Sequence, residues 1–135
     1  MTNSNKTFKS LKASSSFELV YEKGMFLISR DKKIKVNYIF NYGDKEHIIK
    51  AGISVSSKKG NSVWRNRIKR IIKEALKSYE DLLIELNKQI NAGLWMVFSP
   101  HSIDQTKNKK IFLKDIKPSI LDILKRLTKN STPAG

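Results

Sequence analysis

A run of basic side chains between residues 58 and 73 is the part of this sequence best suited to binding chemistry. The run contains seven basic residues and no acidic one: Lys58, Lys59, Arg65, Arg67, Lys69, Arg70 and Lys73. Apolar residues at helical spacing, from Trp64 to Tyr79, predict a helix that begins near Asn61 or Ser62, after Gly60. On that helix most of the basic side chains lie opposite the apolar stripe, which indicates an exposed cationic face.

The position of these charges along the helix favours an anionic ligand. The amino end of a helix already carries partial positive charge, so acidic residues usually stabilise it. Arginine at this end costs helix stability, and a bound phosphate would offset that cost. A solvated basic face without a ligand is the alternative interpretation, and the placement of charge against the helix dipole makes it the weaker one.

The composition of the whole chain also favours a polyanionic partner. Lys and Arg total 27 and Asp and Glu total 12, which gives a net charge of +15. A nucleic acid relieves the self-repulsion of such a chain, and its released counterions drive binding. A membrane surface would instead favour an amphipathic helix with little other structure, whereas this chain contains strand-like segments. We therefore expect a nucleic-acid partner and no membrane.

Other kinds of site have weak support in the sequence. The absence of cysteine excludes disulfides and thiolate metal sites. His47 and His101 are far apart and lack obvious carboxylate partners, and Glu80, Asp81 and Glu85 fit a solvated helix face better than a magnesium site. No phosphate-binding glycine loop or nucleophile motif is present. No apolar run approaches the ~20 residues that span a bilayer, and no signal sequence is evident, so we expect a cytoplasmic protein.

The first half of the chain reads as a helix followed by three strands. A helix should begin near Ser15, with Ser15 and Glu18 as a capping box, and end at Gly24. One face of this helix would carry Phe17, Val20 and Tyr21. Strands are expected at 25–28, 34–42 and 48–56, with the last two forming an antiparallel pair across a turn at 42–46.

The second half of the chain completes the order α-β-β-β-α-β-α, which predicts an α+β fold. The basic helix should reach at least Tyr79, and its apolar spacing continues to Ile90 in the same helix or after a kink. A buried strand at 94–98 could lie parallel to the strand at 48–56, and the general rule favours a right-handed crossover between them. A last helix spans about 112–127, kinked or shortened by Pro118. We expect one domain at 11–128 between flexible tails at 1–10 and 129–135.

The strand, loop and helix around the basic run resemble those of the bacterial ribonuclease P protein family. The matching residues are Gly52-Ile53-Ser54-Val55-Ser56, then Lys58, Gly60, Asn61 and Val63, then Arg65-Asn66-Arg67-Ile68-Lys69-Arg70. Upstream, Leu11-Lys12, Phe17, Val20-Tyr21 and Gly24 fit the first helix of the family. The sequence departs from the family pattern at Ser57, Lys59 and Ser99, and it is several residues longer between Leu76 and Gly93.

This resemblance implies a fold and a division of labour. The fold is a two-layer α+β sandwich with a four-stranded, mainly antiparallel sheet, one parallel pair, three helices and a left-handed β-α-β crossover. The protein supplies no catalytic residue; a catalytic RNA uses magnesium, held mainly by the RNA, to hydrolyse the bond at the 5′ end of mature tRNA. The implied partners are this RNA, with one protein per RNA, and precursor tRNA.

The resemblance also implies roles for individual residues. Contacts to the catalytic RNA would come from Lys58, Asn61, Arg65, Asn66, Arg67, Lys69, Arg70 and Lys73. Phe17 and Tyr21 would line a cleft for the 5′ leader, with Tyr38 as a third stacking residue unless Asn37 takes that place. Judged from spacing alone, Phe17 and Tyr21 would be core residues and Tyr38 a packed strand aromatic. A general basic RNA-binding or ribosomal protein and a self-contained nuclease are the other hypotheses, and the nuclease lacks a visible acid–base or metal site.

Overall fold

The computed structural model describes residues 8–43, 47–90 and 92–130. The elements in chain order are β1 (Lys9–Ser10), α1 (Ser14–Lys23), β2 (Met25–Ile28), β3 (Ile34–Asn41), β4 (Ile49–Ile53), a 3₁₀ turn (Ser57–Lys59), α2 (Ser62–Ser78), α3 (Glu80–Gln89), β5 (Gly93–Pro100) and α4 (Leu113–Asn130). The described strands form one mixed sheet in the order β1-β4-β5-β3-β2. The α+β class is confirmed. The described residues form five strands and four α-helices, where four strands and three helices were expected.

The strand β5 occupies the centre of the sheet. It pairs parallel with β4 and antiparallel with β3, so that Met96 lies opposite both Ala51 and Tyr38. The predicted parallel relation of β4 and β5 is therefore confirmed, and the predicted antiparallel pairing of β3 with β4 is wrong. The continuous apolar run of β5 suits a strand that is buried on both faces, which explains why it separates the other two. The short β1 adds a second parallel pair, with β4.

Helices cover both faces of the sheet, so the expected two-layer arrangement is wrong. On one face, residues such as Val36, Tyr38 and Phe98 form the main core with apolar residues of α2, α3 and α4. On the other face, Val97 packs with Leu11 and Val20 in a smaller core beneath α1. Because successive side chains of a strand point to opposite faces, both cores are supported by the same strands. The hand of the β4–β5 crossover stays a prediction.

The ends of α1 are determined by backbone geometry. The helix begins at Ser14 with Ala13 as its cap and no capping hydrogen bond from a side chain, so the predicted capping box at Ser15 and Glu18 is wrong. Its end at Gly24 is confirmed, since the Gly24 amide donates to the Val20 carbonyl oxygen at 2.9 Å. A Cβ at Gly24 would collide with the carbonyl oxygens of Val20 and Tyr38, which explains the glycine.

The long helical region and the ends of the domain differ in detail from the prediction. The helical region breaks at Tyr79 into α2 and α3, in agreement with the kinked alternative. The helix α4 contains Pro118 and packs against α2 and α3. Phe8 packs against the core and Lys9–Ser10 is a strand, so the ordered domain begins before residue 11. The predicted tail at 129–135 begins inside α4, which ends at Asn130, and residues 1–7 and 131–135 lie outside the described residues.

Candidate RNA-binding surface

The apolar stripe of α2 is buried against the sheet and α4, which leaves its basic residues on the outer face. Trp64, Ile68 and Ile72 are buried in the main core. The helix starts where the sequence predicts, because the Asn61 side-chain oxygen accepts a hydrogen bond from the Trp64 amide at 2.9 Å. Asn61 therefore has a structural role as the cap of α2, besides the predicted contact with RNA.

The loop at 101–112 braces the amino end of α2. The Gln105 amide donates to the Lys59 carbonyl oxygen at 2.7 Å, and the Gln105 side-chain oxygen accepts from the Asn61 amide at 2.8 Å. The Lys59 ammonium group donates to the His101 carbonyl oxygen at 2.5 Å. Lys59, which departs from the family pattern, is therefore a tether between two loops. Within the brace, a hydrogen bond from the Lys107 amide keeps the pKa of Asp104 below its ordinary value.

The two arginines of the Arg-Asn-Arg segment are half-buried and held by main-chain oxygens. Arg65 Nε donates to the Gly60 carbonyl oxygen at 3.0 Å. Arg67 donates to the Ile111 carbonyl oxygen through Nε at 3.1 Å and Nη2 at 2.9 Å. A guanidinium group has five donors, so each arginine keeps donors for a further partner. Both charges are therefore fixed in position before any ligand binds.

The remaining predicted RNA-binding residues are more exposed than the arginines. Lys58, Asn66, Arg70 and Lys73 are exposed, and Lys69 is half-buried. Among the described residues, no carboxylate lies within 4.0 Å of any basic nitrogen in the run from Lys58 to Lys73. The structure thus concentrates positive charge on one outer face without neutralising it, as a polyanion-binding surface requires.

A groove joins this basic face to α1. It has a volume of about 380 Å³, and its lining includes Phe17 from α1 and Lys69, Arg70 and Lys73 from α2. The Phe17 ring lies directly on Gly52 of β4, where an added Cβ would be 2.5 Å from the ring carbon Cζ. The glycine therefore leaves room for the aromatic ring to pack closely against the sheet where it lines the groove. Tyr21 lies one turn further along α1, is 46% exposed, and does not line this groove.

The structure does not place Tyr38 with Phe17 and Tyr21. Tyr38 is 3% exposed and lies in the main core, on the face of the sheet opposite α1, with its ring 5.9 Å from that of Phe40. The assignment of Tyr38 to a leader cleft is therefore wrong. The alternation of β3 puts Asn37, which is half-buried, on the α1 side instead.

Two residues that the sequence interpretation did not single out also belong to this surface. Phe112 and Lys114, at the start of α4, lie beside Arg67, whose guanidinium carbon is 5.7 Å from the centre of the Phe112 ring. The signal in the sequence was an aromatic residue set among lysines, Lys109-Lys110-Ile111-Phe112-Leu113-Lys114. Only the fold brings this segment to α2, more than forty residues earlier in the chain.

Comparison with known proteins identifies the family. A family model described as Ribonuclease P matches residues 6–123. The chain belongs to the ribonuclease P protein family. Membership gives it a subunit role in tRNA processing within a ribonucleoprotein. Among the described residues, no helix is long and apolar enough to cross a membrane.

Relatives named "Ribonuclease P protein component" match the chain over most of its length. The Clostridioides difficile protein is 36% identical over 118 residues, which cover 87% of this chain and 90% of that protein. The protein of Clostridium botulinum (strain Loch Maree / Type A3) is 31% identical over 116 residues, covering 86% and 91%. The ribonuclease P protein family thus accounts for nearly the whole described domain.

Solved structures agree with this assignment. The Staphylococcus aureus RNase P protein superposes with a TM-score of 0.64 at 26% identity, covering 87% of this chain and 93% of that one. The Thermotoga maritima RNase P protein gives a TM-score of 0.68 at 21% identity, covering 87% and 96%, and supports the fold alone.

Proposed function

We propose that this protein binds the catalytic RNA of ribonuclease P through the outer face of α2 and the 5′ leader of precursor tRNA in the groove beside Phe17. Binding in this way would assist the endonucleolytic removal of the leader that forms the tRNA 5′ end. The observation that carries the proposal is the groove itself. It combines an aromatic ring from α1 with three basic side chains from α2, and stacking and charge are the two chemistries that bind single-stranded RNA together.

The charge on α2 supports its assignment to the catalytic RNA. Arg65 and Arg67 are held by main-chain oxygens, and the exposed side chains of Lys58, Arg70 and Lys73 have no carboxylate within 4.0 Å among the described residues. A folded RNA presents phosphates over an area as wide as this helix face, and guanidinium groups can bind them through paired hydrogen bonds. We expect the resulting affinity to fall steeply as salt rises.

The groove supports the assignment to the leader. Bases stack on an aromatic ring with little regard to sequence, which suits a segment that differs between precursor tRNAs. Lys69, Arg70 and Lys73 line the same groove from α2, where they can pair with the phosphates of the same strand. Tyr21, one turn beyond Phe17 and partly exposed, extends the aromatic surface of α1 along its length.

We propose that the hydrolysis is carried out by the RNA and that the RNA holds most of the magnesium. The protein residues do not fit a resident magnesium site: within the described segments, no three His, Asp or Glu side chains cluster. The α2 surface is cationic, and cationic groups repel a divalent metal ion. We further propose one protein per RNA and a cytoplasmic location, where tRNA precursors are processed.

The decisive experiment measures cleavage of a precursor tRNA at low magnesium concentration. The cognate catalytic RNA with the protein should cleave faster than the RNA alone, and the purified protein alone should cleave nothing. A lack of any gain from the protein would contradict the proposal. Cleavage by rigorously purified protein alone would instead support the nuclease hypothesis.

A second measurement separates this proposal from a general RNA-binding role. The RNA–protein complex should bind precursor tRNA more tightly than mature tRNA, and the difference should shrink as the leader is shortened. Equal affinities would favour a basic RNA-binding or ribosomal protein. Phe17→Leu should reduce the preference for the precursor, whereas Leu19→Ala, on the same helix but outside the groove lining, should leave it unchanged.

A further inference from the structure

We propose that Phe112 is a stacking site for an unpaired base of the catalytic RNA, placed beside two cations on the flank of α2 that faces away from the leader groove. The inference rests on the proposed function, since it takes the catalytic RNA to be the ligand of α2. It adds a recognition point that lies outside the Arg-Asn-Arg segment, immediately before α4.

The surroundings of Phe112 distinguish it from an ordinary exposed apolar residue. Its side chain is 49% exposed, with the Arg67 guanidinium carbon 5.7 Å and the Lys114 ammonium nitrogen 5.9 Å from the ring centre. Val63, one turn before Arg67 on α2, is 76% exposed and adds apolar surface to the same flank. A single exposed apolar side chain is common on protein surfaces, but an exposed aromatic ring with two cations near the limit of contact distance, about 6 Å, offers both a stacking surface and phosphate partners.

The ring is held in place by hydrogen bonds on both sides of its backbone. Before it, the Ile111 carbonyl oxygen accepts two hydrogen bonds from Arg67, and the Ile111 side chain is buried in the main core. The Phe112 amide, in the same peptide unit, donates to the Asp115 carboxylate at 2.9 Å, and after the ring the Phe112 carbonyl oxygen accepts from the Asp115 amide at 2.9 Å. A ring presented on a fixed backbone loses little conformational entropy when a ligand stacks on it, which favours binding.

The charge around the ring favours RNA over an apolar protein partner. A protein that covered Phe112 with apolar side chains would also cover Arg67 and Lys114 and would have to supply carboxylates for both. A nucleotide of an RNA strand carries both a base, which can stack on the ring, and a phosphate, which can bind the cations. Arg67 thus has two functions at once, because it fixes the loop through Ile111 and keeps guanidinium donors for a phosphate.

The position of the ring on α2 favours the catalytic RNA over the leader. At 100° per residue, Arg67 is about 60° from Arg70, about 120° from Lys73 and about 160° from Lys69 around the helix axis, so Phe112 and the Phe17 groove lie on different flanks with Arg70 between them. A leader strand in the groove runs along one flank only. An RNA docked on the outer face of α2 extends to both flanks and reaches Phe112.

The test compares the affinities of the full-length protein and its Phe112 variants for the catalytic RNA alone, by filter binding or fluorescence anisotropy. Phe112→Ala and Phe112→Leu should each raise the Kd about 5- to 150-fold, the range expected for one base–aromatic stack. Phe112→Tyr, which keeps an aromatic face, should bind nearly as the parent does. Equal Kd values for the parent protein and Phe112→Leu would overturn the inference, and thermal melting should show that all the variants remain folded.

The matched control is Phe26→Leu. Phe26 is also exposed, at 57%, and also lies under a cation, since the Lys35 ammonium nitrogen is 4.7 Å from its ring centre. It stands on β2, at the edge of the sheet farthest from β1. Its replacement should leave the Kd for the catalytic RNA unchanged, and a loss equal to that of Phe112→Leu would mean that the effect is not specific to the proposed site.

A photo-crosslinking amino acid, p-benzoylphenylalanine, at position 112 identifies the occupant. In the complex with precursor tRNA, the crosslink should form with the catalytic RNA, at an unpaired nucleotide. A crosslink confined to the 5′ leader would overturn the assignment to the catalytic RNA. A parent protein that did not bind this RNA at all would contradict both the proposed function and this inference, whereas unchanged Phe112 variants of a binding parent would contradict the inference alone.

Discussion

The two flanks of α2 differ in how firmly their functional side chains are held. On the flank toward α4, Arg67 bonds twice to the Ile111 carbonyl oxygen, and the loop at 101–112 connects back to Lys59 and Asn61. On the flank toward α1, the groove is lined by Lys69, Arg70 and Lys73, for which no such tether exists within the described residues. We infer that the first flank is preorganised and that the second adapts to its ligand.

This difference matches the partners that we propose for the two flanks. A catalytic RNA has one folded surface, so fixed donors can match it and bind without an ordering cost. A leader varies in sequence, so long lysine and arginine side chains that adjust to its phosphates suit it better. The contrast between fixed and adaptable cations can be tested by removing one feature from each flank in turn.

The largest expected effect is that of Arg67→Ala, because this change removes a charge and a structural tether together. We expect catalytic-RNA binding to weaken by about 1–3 kcal/mol and the melting temperature to fall, since two hydrogen bonds to Ile111 are lost. Arg70→Ala is the control on the adaptable side: it should reduce RNA affinity without lowering the melting temperature. If both variants melted as the parent does, the preorganised flank would not exist as described.

The next largest effect is expected from a change at Gly52, where the Phe17 ring packs against the sheet in the groove. In Gly52→Ala, the new methyl group would lie 2.5 Å from the Phe17 ring and must displace it, an overpacking that typically costs about 1–3 kcal/mol. We expect weaker binding of precursor tRNA to the RNA–protein complex and nearly normal assembly with the catalytic RNA. Gly43→Ala is a suitable control, because a Cβ there meets only the Asn41 side chain at 3.5 Å. A variant that lost RNA assembly instead would show that the groove and the docking face are one site.

The sequence predicted these two flanks unequally, for physical reasons. The period of apolar residues in α2 and its cap at Asn61 follow from local rules, so the basic face could be predicted from the sequence. The tether of Arg67 to Ile111 spans forty-four residues and depends on how α4 packs, which no local pattern encodes. The same applies to β5, whose apolar run predicts a buried strand but not its place between β3 and β4.

Tyr38 shows a related difficulty on a smaller scale. The alternation along β3 predicts correctly that the strand has two faces, yet the family resemblance left open which of them carries the stacking residue. The structure resolves this because Val36 and Tyr38 pack beneath α2–α4, while Asn37 belongs to the α1 side. The face of the sheet to which an aromatic strand residue points is therefore better predicted from the alternation of its neighbours than from its own residue type.

We expect acid to weaken the packing of α4, and with it the preorganised flank of α2. Burial raises the pKa of Asp31, but hydrogen bonds from the Ser119 and Ser29 hydroxyl groups and the Lys33 amide outweigh it, so the pKa lies below the ordinary value of 3.8. A lowered pKa stabilises the fold above pH 3.8, and this stabilisation is lost as the pH falls through the folded-state pKa. Ser119 is on α4, so protonation of Asp31 weakens the attachment of α4, the helix that follows the loop at 101–112.

Thermal melting of the parent protein and Asp31→Asn as a function of pH tests this point. At neutral pH, Asp31→Asn should be less stable by on the order of 1 kcal/mol, because the amide cannot accept the same set of hydrogen bonds. The difference should shrink as the pH falls below 3.8 and the parent carboxylate is protonated. A difference that stayed constant down to that range would mean that the charge of Asp31 does not support α4.

The smallest effect is expected from Lys73→Ala, and it examines the adaptable flank alone. Lys73 is exposed at the groove wall and has no hydrogen bond or ion pair among the described residues, so its removal should leave the melting temperature unchanged. If it contacts one phosphate, the slope of log K against log salt should decrease by about 0.7–0.9, and affinity should fall for every leader sequence alike. Lys88→Ala, on α3 and outside the groove, should leave the slope unchanged. A loss confined to particular leader sequences would instead mean that Lys73 contacts a base. The groove would then be a preorganised site, like the flank toward α4.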